Sequence, residues 1–213
     1  MKPLSFDLLE AERALATADP KLGLVIERHG PCRLEPDGVQ SPFAALAESI
    51  TYQQLTGKAA ATIFSRVVAI YRPKRFPKPE DVLATPDATL RSAGLSRAKV
   101  LAVKDLAAKT IDGTVPSLAA LRRLSDGEIV ERLTAVRGIG PWTVEMLLIF
   151  RLGRPDILPA SDYGVRKGFA RAFRTRGLPT PAQVIRRGER WRPYRSVASW
   201  FLWRAAETPG GRA

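Results

Sequence analysis

The sequence predicts an all-α protein. Prolines and capping side chains followed by apolar residues at helical spacing recur along its 213 residues. No stretch sustains the apolar–polar alternation of a half-buried strand, and no segment repeats at the period of a solenoid. The length suits one compact domain or two small lobes that share a core.

Helix-start signals divide the first half of the chain into short helices. Ser5 caps a helix through about Ala18 with leucines on one face, and prolines begin the second and third helices. A turn signature at Pro36-Asp37-Gly38 predicts an irregular or strand-like link over 32–39. The predicted helices are Ser5–Ala18, Leu22–Arg28 (opened by Pro20), a third from Pro42 to about Tyr52, Thr56–Ile70, Pro79–Leu83 and Pro86–Ala93.

The second half carries the clearest capping signals. Ser96 and Ser117 each precede a helix, and Ser125-Asp126-Gly127-Glu128 has the pattern of a capping box. The helices predicted beyond that box begin near Ser125 and at Pro141, and then cover Tyr163–Phe173, Pro181–Arg190 and Pro193–Glu207.

Composition and charge narrow the class of protein. The formal net charge is +13, with a sequence pI near 10.6, which favours anionic partners. Cys32 is the only cysteine and His29 the only histidine, which excludes an internal disulfide, an all-cysteine zinc or iron–sulfur site and a His-rich metal site. No apolar run is long enough to span a membrane and the first residues lack a signal-peptide pattern, so we expect a cytoplasmic, nucleoid-associated protein.

A turn between two helices is the first candidate site. Gly138 and Gly140 allow the backbone to turn tightly and leave room for a close ligand, and Pro141 suits the first position of the next helix. Free N–H groups at such a turn favour a phosphate. A carboxylate follows at Asp162, where another helix starts. It is either a helix cap or a chemical group, and the two roles are compatible.

Positive charge is concentrated after this turn. From Gly164 to Ala213 there are twelve lysines and arginines against two glutamates, so this segment holds +10 of the +13. A phosphate-binding turn beside a basic helical tail predicts a polyanionic partner, and nucleic acid fits best. The basic loop over 71–79 is open to two interpretations, a solvated linker or a contact to the DNA backbone.

Several motifs together resemble the helix-hairpin-helix DNA glycosylase superfamily, and within it a short form of the 3-methyladenine DNA glycosylase II class. The hairpin has the pattern Leu-x-x-x-x-Gly-Ile-Gly-x-Trp-Thr, which begins at Leu133. Three further segments resemble family motifs, and the matches extend from about Phe43 to Trp203. These segments are Gln53-Gln54-Leu55-Thr56-Gly57-Lys58-Ala59-Ala60, Gly94-Leu95-Ser96-Arg97-Ala98-Lys99 and Trp191 to Trp203.

The resemblance implies two helical lobes flanking a DNA-binding cleft within one unit of 213 residues. The central lobe would cover approximately 43–160 and contain the hairpin (133–150), and the second lobe would combine 1–42 with 161–213. Asp162 falls where the family has its catalytic aspartate. A carboxylate there would stabilise the oxocarbenium character of the transition state and could orient the attacking water.

The resemblance also implies base flipping, with a wedge in the duplex and a pocket for the base. Leu55 would be the wedge, with Gln53, Gln54 and Thr56 beside it, although Leu55 could also be a core residue. Trp142, Tyr163 and Trp203 would form the pocket, where a cationic alkylated purine stacks well, although buried core aromatics remain the alternative. Met146 stands where long-form members have a pocket tyrosine, which implies a more open pocket.

The same resemblance assigns the hairpin to the DNA backbone. Gly138, Ile139 and Gly140 would hold phosphates, and related hairpins hold a monovalent cation on backbone carbonyls, here those of Thr134, Val136 and Ile139. No cofactor other than such a Na⁺ or K⁺ is expected. Members that cleave the strand have a lysine where this chain has Trp142, which implies a monofunctional enzyme that leaves an abasic site.

We therefore expect a monomeric glycosylase acting on double-stranded DNA that contains alkylated bases. Two rival hypotheses are a glycosylase for other modified bases and a non-catalytic module that binds damaged DNA. Asp162 discriminates against the second, because a carboxylate beside anionic DNA weakens affinity.

Overall fold

The computed structural model describes residues 4–37 and 41–207, and within these ranges it is helical with no β-strand. This confirms the predicted fold class. The helices are α1 (Leu8–Ala18), α2 (Pro20–His29), α3 (Pro42–Tyr52), α4 (Gly57–Ala69), α5 (Pro79–Ala84), α6 (Asp87–Ser92), α7 (Arg97–Ile111), α8 (Leu118–Leu121), α9 (Asp126–Thr134), α10 (Pro141–Phe150), α11 (Tyr163–Phe173), α12 (Pro181–Gly188) and α13 (Arg195–Glu207), with a short 3₁₀ turn at Glu189–Trp191 between the last two.

Most predicted helix starts are correct because their capping side chains form the expected hydrogen bonds. Ser96 accepts the N–H of Lys99, and Ser125 exchanges bonds with Glu128 in a capping box. The first helix is an exception: Asp7, not Ser5, is its N-cap, and its carboxylate accepts the N–H of Glu10 at 2.8 Å. No strand occurs in the described part of the 32–39 link.

The chain forms two compact units. One combines Met1–Gly38 with Glu145–Ala213, and the other is Val39–Val144. We call them the terminal unit and the central unit. The second boundary lies at 144/145, whereas the sequence predicted 160/161, and the segment between the two positions bonds within the terminal unit. The Phe150 carbonyl accepts the N–H of Asp37, and the Pro155 carbonyl accepts that of Ser196.

The core of the terminal unit is built on α11 and α13, which pack closely. Gly168 permits this approach, because a Cβ there would overlap the Leu202 carbonyl. Trp191 and Phe201 are fully buried in this unit.

In the central unit, α7 packs against α3 and α5, and the apolar faces of these helices are buried. This places one long helix beneath both the α3–α4 connection and the hairpin. None of the described helices is both long enough and apolar enough to cross a membrane.

Candidate active site

Asp162 is the N-cap of α11. Its Oδ1 accepts the backbone N–H of Val165 at 2.7 Å and the indole N–H of Trp203 at 2.8 Å. The cap role expected from the sequence is therefore real. The half-buried carboxylate is also held in one orientation by two donors, which is the preorganisation that a charge-stabilising group requires.

Trp203 has a second role that the sequence did not predict. Besides donating to Asp162, its ring packs on Phe150 with centroids 5.5 Å apart. Gly164 makes room for this, because a Cβ there would lie 2.7 Å from Cδ1 of Trp203. The predicted pocket tryptophan thus also orients the predicted catalytic carboxylate.

Glu145 is a second carboxyl group near Asp162, and sequence reasoning missed it. Its Oε2 is enclosed by protein and has no hydrogen-bond partner among the described residues. Burial, and next the negative charge of Asp162, raise the pKa of Glu145 to about 7. The sequence did contain a signal for it, because Glu145 is the only charged residue of helix α10, which is mostly apolar.

The other predicted pocket residues differ in exposure. Trp142, in the first turn of α10, is 47% exposed, and Tyr163, at the start of α11, is 66% exposed. Because both side chains are largely exposed, the alternative that they are buried core residues is not supported. Met146 is half-buried and follows Glu145 directly on α10. Trp142 belongs to the central unit, and Met146 and Tyr163 belong to the terminal unit.

The predicted wedge lies at an exposed turn between α3 and α4. Leu55 is 40% exposed, so the alternative that it is a core residue is wrong. Gln54 precedes it with φ of +57°, a left-handed conformation that is uncommon outside glycine. Thr56 is the N-cap of α4 and makes no side-chain capping bond.

Gln53 joins this turn to the hairpin. Its side-chain amide donates to the carbonyl of Gly138 at 2.9 Å. Lys99 holds the same turn from below, since its ammonium donates to the carbonyls of Thr51 at 2.7 Å and Gln53 at 2.8 Å. These carbonyls end α3, where the helix dipole favours a cation.

The hairpin turn has the geometry that its glycines suggest. Gly138 has φ of +77°, and both Gly138 and Gly140 are exposed. Ile139, also predicted to contact DNA, is 4% exposed, and its N–H donates to the Val136 carbonyl at 3.1 Å. An apolar side chain between two glycines anchors the turn in the core.

Helix α7 also anchors the hairpin. Asp105 accepts the N–H of Arg137 at 2.7 Å and pairs with Lys109, which donates to the carbonyl of Ala135. Burial raises the pKa of Asp105, but the bonds from Arg137 and Lys109 outweigh it and leave the pKa below its usual value. Like Lys99, this pair was not identified from the sequence.

The basic tail is only partly available to a ligand. Of the eleven tail cations within the described residues, six are engaged within the protein, as in the pair of Arg187 with Asp19 and the bonds of Arg171 to the last carbonyls of α13. The others engaged are Arg166, Arg192, Arg195 and Arg204. Arg212 lies outside the described residues. The basic loop at 71–79 likewise pairs Lys74 with Asp81.

An all-α chain with a glycine hairpin and a capped, oriented carboxylate defines a class of DNA-repair proteins. Residues 47–193 match the model of the HhH-GPD superfamily base excision DNA repair proteins. This match covers more than half of the chain, which therefore belongs to that superfamily.

Individual relatives agree. The chain is 39% identical to DNA-3-methyladenine glycosylase 1 of Schizosaccharomyces pombe over 79% of this chain and 74% of that protein. It is 30% identical to the alkylbase DNA glycosidase-like protein mag2 of the same yeast, over 92% and 93%. The solved structure of S. pombe 3-methyladenine DNA glycosylase (Mag1) in complex with abasic DNA superposes with a TM-score of 0.81 and 36% identity, over 92% of this chain and 95% of that one.

Proposed function

We propose that this protein is a DNA glycosylase that hydrolyses the N-glycosidic bond of alkylated bases of the 3-methyladenine type in double-stranded DNA. The observation that carries the proposal is Asp162, held at the start of α11 by Val165 and Trp203 in a member of a base-excision superfamily. The names of its relatives support the alkylated substrate.

The chemistry follows from the carboxylate. An alkylated purine carries positive charge and leaves readily, so the enzyme has to stabilise the positive charge that develops on the sugar. Asp162 supplies a fixed negative charge for it. In the central unit, the exposed ring of Trp142 can stack on a cationic base, and Leu55 is exposed at a turn where it can enter the duplex.

Asp162→Asn tests the catalytic role apart from the capping role, because asparagine caps helices about as well as aspartate. We expect base release from a duplex with one alkylated purine to fall at least about 100-fold, with DNA binding retained. Release that survives in this variant would overturn the role of Asp162. Binding without release by the native protein would favour the damage-binding module.

We propose that the enzyme acts without a lyase step and as a monomer. Trp142 occupies the position of the lyase lysine, and an indole cannot form a Schiff base. Strand breaks should appear only after alkali treatment of the abasic product. Strand breaks without alkali, together with a covalent enzyme–DNA adduct trapped by borohydride, would contradict the absence of a lyase step. Sedimentation with and without DNA tests the monomer.

A monovalent cation at the hairpin fits the available carbonyls. Thr134 ends α9, where carbonyls lack helical partners and the dipole favours a cation. The Val136 carbonyl accepts the Ile139 N–H, and a carbonyl oxygen has a second lone pair for a cation; the carbonyl of Ile139 follows in the same turn. A bound Na⁺ or K⁺ would attract the DNA phosphate. DNA affinity in K⁺ should exceed that in tetramethylammonium at equal ionic strength, and equal affinities would contradict the site.

A further inference from the structure

Glu145 lies in surroundings that a structural carboxyl group seldom has. Apart from Thr143, the other residues of helix α10 are apolar, and the Oε2 atom of Glu145 is enclosed without a hydrogen-bond partner among the described residues. Buried polar groups in proteins are nearly always paired, so an unpaired one requires an explanation. An apolar side chain at this position would avoid the desolvation cost, and therefore the carboxyl group points to a role in function.

Its charged neighbour is Asp162. The charge that acts on Glu145 is that of Asp162, at the start of α11. From α13, Trp203 directs its N–H to Asp162. Two N–H donors thus serve Asp162 and none serves Glu145, so the two carboxyl groups of one unit have opposite environments.

When two neighbouring carboxyl groups have different environments, their pKa values differ, and each can take a different role in acid–base catalysis. A general base works best when its pKa is near the working pH, and the pKa of Glu145 is raised to about 7 by burial and by Asp162. Asp162 is oriented to stabilise charge. Glu145 is half-buried as a residue, and no hydrogen bond among the described residues competes for its Oε2.

Resting on the proposed glycosylase function, we propose that Glu145 is a second catalytic carboxylate, which accepts the proton of the water that attacks the sugar. The C1′–N bond breaks, and its electron pair leaves with the base and neutralises the positive charge of the alkylated purine. The water oxygen bonds to C1′, one water proton passes to Glu145, and Glu145 then releases it to solvent. Asp162, held by its two N–H donors, stabilises the oxocarbenium character.

The test is the pH profile of single-turnover release of 7-methylguanine from a duplex oligonucleotide between pH 5.5 and 8.5. For the native protein we expect a rate that rises nearly tenfold per pH unit and levels above about pH 7. Glu145→Gln should flatten the profile and lower the rate about 100-fold at pH 8. Glu145→Asp, which keeps a carboxylate, should retain a rise, and Glu27→Gln, at an exposed position of the same unit, should match the native profile.

The outcomes separate the two proposals. No release by the native protein at any pH would overturn the glycosylase function itself. If the native protein releases the base, and Glu145→Gln and Glu145→Asp show the same rates and pH profile as the native protein, the role of Glu145 alone is overturned. Thermal melting provides a check without DNA: native protein should lose stability relative to Glu145→Gln as pH rises from about 5 to about 7. Equal melting across that range would also overturn the proposal, because Glu145 would then not titrate there.

Discussion

Single side chains of α7 position the residues predicted to contact DNA. Lys99 spans from the first turn of α7 to the carbonyls that end α3, and burial lowers the pKa of this ammonium. Each bond involves a charged donor, a type that contributes about 1.5–3 kcal/mol. Since Gln53 links the same turn to Gly138, one lysine supports both the predicted wedge and the hairpin.

Lys99→Met should loosen this support. The variant keeps the length and apolar stem of the side chain but loses both donors, so the carbonyls of Thr51 and Gln53 lose their charged partner. We expect single-turnover base release to fall about tenfold, the effect of roughly 1.4 kcal/mol. Lys104→Met is the matched control on the same helix, because Lys104 forms an ion pair with Asp87, whose carboxylate is largely exposed, away from the turn. Equal losses in the two variants would contradict a specific role of Lys99.

Among the helices, α11 positions the predicted catalytic carboxylate, because Asp162 is its N-cap. The helix begins at Tyr163 directly after its cap, and Gly164 lets the indole of Trp203 approach the carboxylate of Asp162. One turn further along the same face, α11 packs on α13 through Gly168. The two glycines therefore serve close approach, and the orientation of Asp162 depends on how α11 and α13 pack.

Gly164→Ala tests this element. The added Cβ would lie 2.7 Å from the Trp203 ring, which must shift and weaken its bond to Asp162. We expect base release to fall at least tenfold while the protein remains folded. Gly127→Ala, in α9 where a Cβ meets nothing within 4 Å, should keep full activity and gain about 0.5–1 kcal/mol of stability. Unchanged release in Gly164→Ala would show that the indole contact is dispensable.

At the scale of the whole chain, some charged side chains stabilise the fold through ion pairs, and others remain available to bind DNA. Asp19 is 1% exposed and accepts a bidentate pair from Arg187 and the indole N–H of Trp191 at 3.0 Å. These bonds join residues near the two ends of the chain. Burial raises the pKa of Asp19, but the bonds from Arg187 and Trp191 outweigh it and hold the pKa below its usual value.

Asp19→Asn should therefore destabilise the protein strongly. It leaves the Arg187 guanidinium without its anionic partner, a change that costs about 3–5 kcal/mol in buried pairs. Because the folded pKa is depressed, the native pair contributes fully above the unfolded pKa of about 3.9 and is lost as pH falls through the lower folded value. Denaturant unfolding at pH 7 and pH 3 measures the loss of stability in Asp19→Asn and the pH dependence of the native pair. Equal loss of stability in the control Asp7→Asn, an exposed helix cap, would contradict the special role of this pair.

Three arginines of the basic tail that form no ion pair within the described residues lie beyond the C-terminal end of α11. Arg176, Arg186 and Arg190 line one cavity there with no acidic residue in its wall. At 1.5 Å per residue, the eleven residues of α11 place this end about 16 Å from Asp162 along the helix. These arginines are therefore expected to strengthen the long-range electrostatic attraction of DNA rather than to take part in base release.

Replacement of these three arginines by glutamine should weaken DNA binding at low salt. We expect a shallower dependence of log Kd on log salt, since fewer cations attract the phosphates, and unchanged base release at saturating enzyme. The matched control replaces Arg192, Arg195 and Arg204, which already pair with acidic groups. Identical salt slopes for the native protein and the first variant would remove this cavity from the binding surface.

The sequence by itself determined the fold class, most helix boundaries, the glycine hairpin and Asp162. These are local properties, because caps, prolines and periodicity act over a few residues, and the motifs stand in contiguous segments. Only the tertiary structure decided which side chains support them. Trp203 reaches Asp162 across 41 positions and Lys99 reaches Thr51 across 48, and no local pattern encodes such contacts. The same holds for Glu145, whose raised pKa comes from burial and from a charge on another helix, and for the basic tail, half of whose charges the folded chain uses to hold itself together.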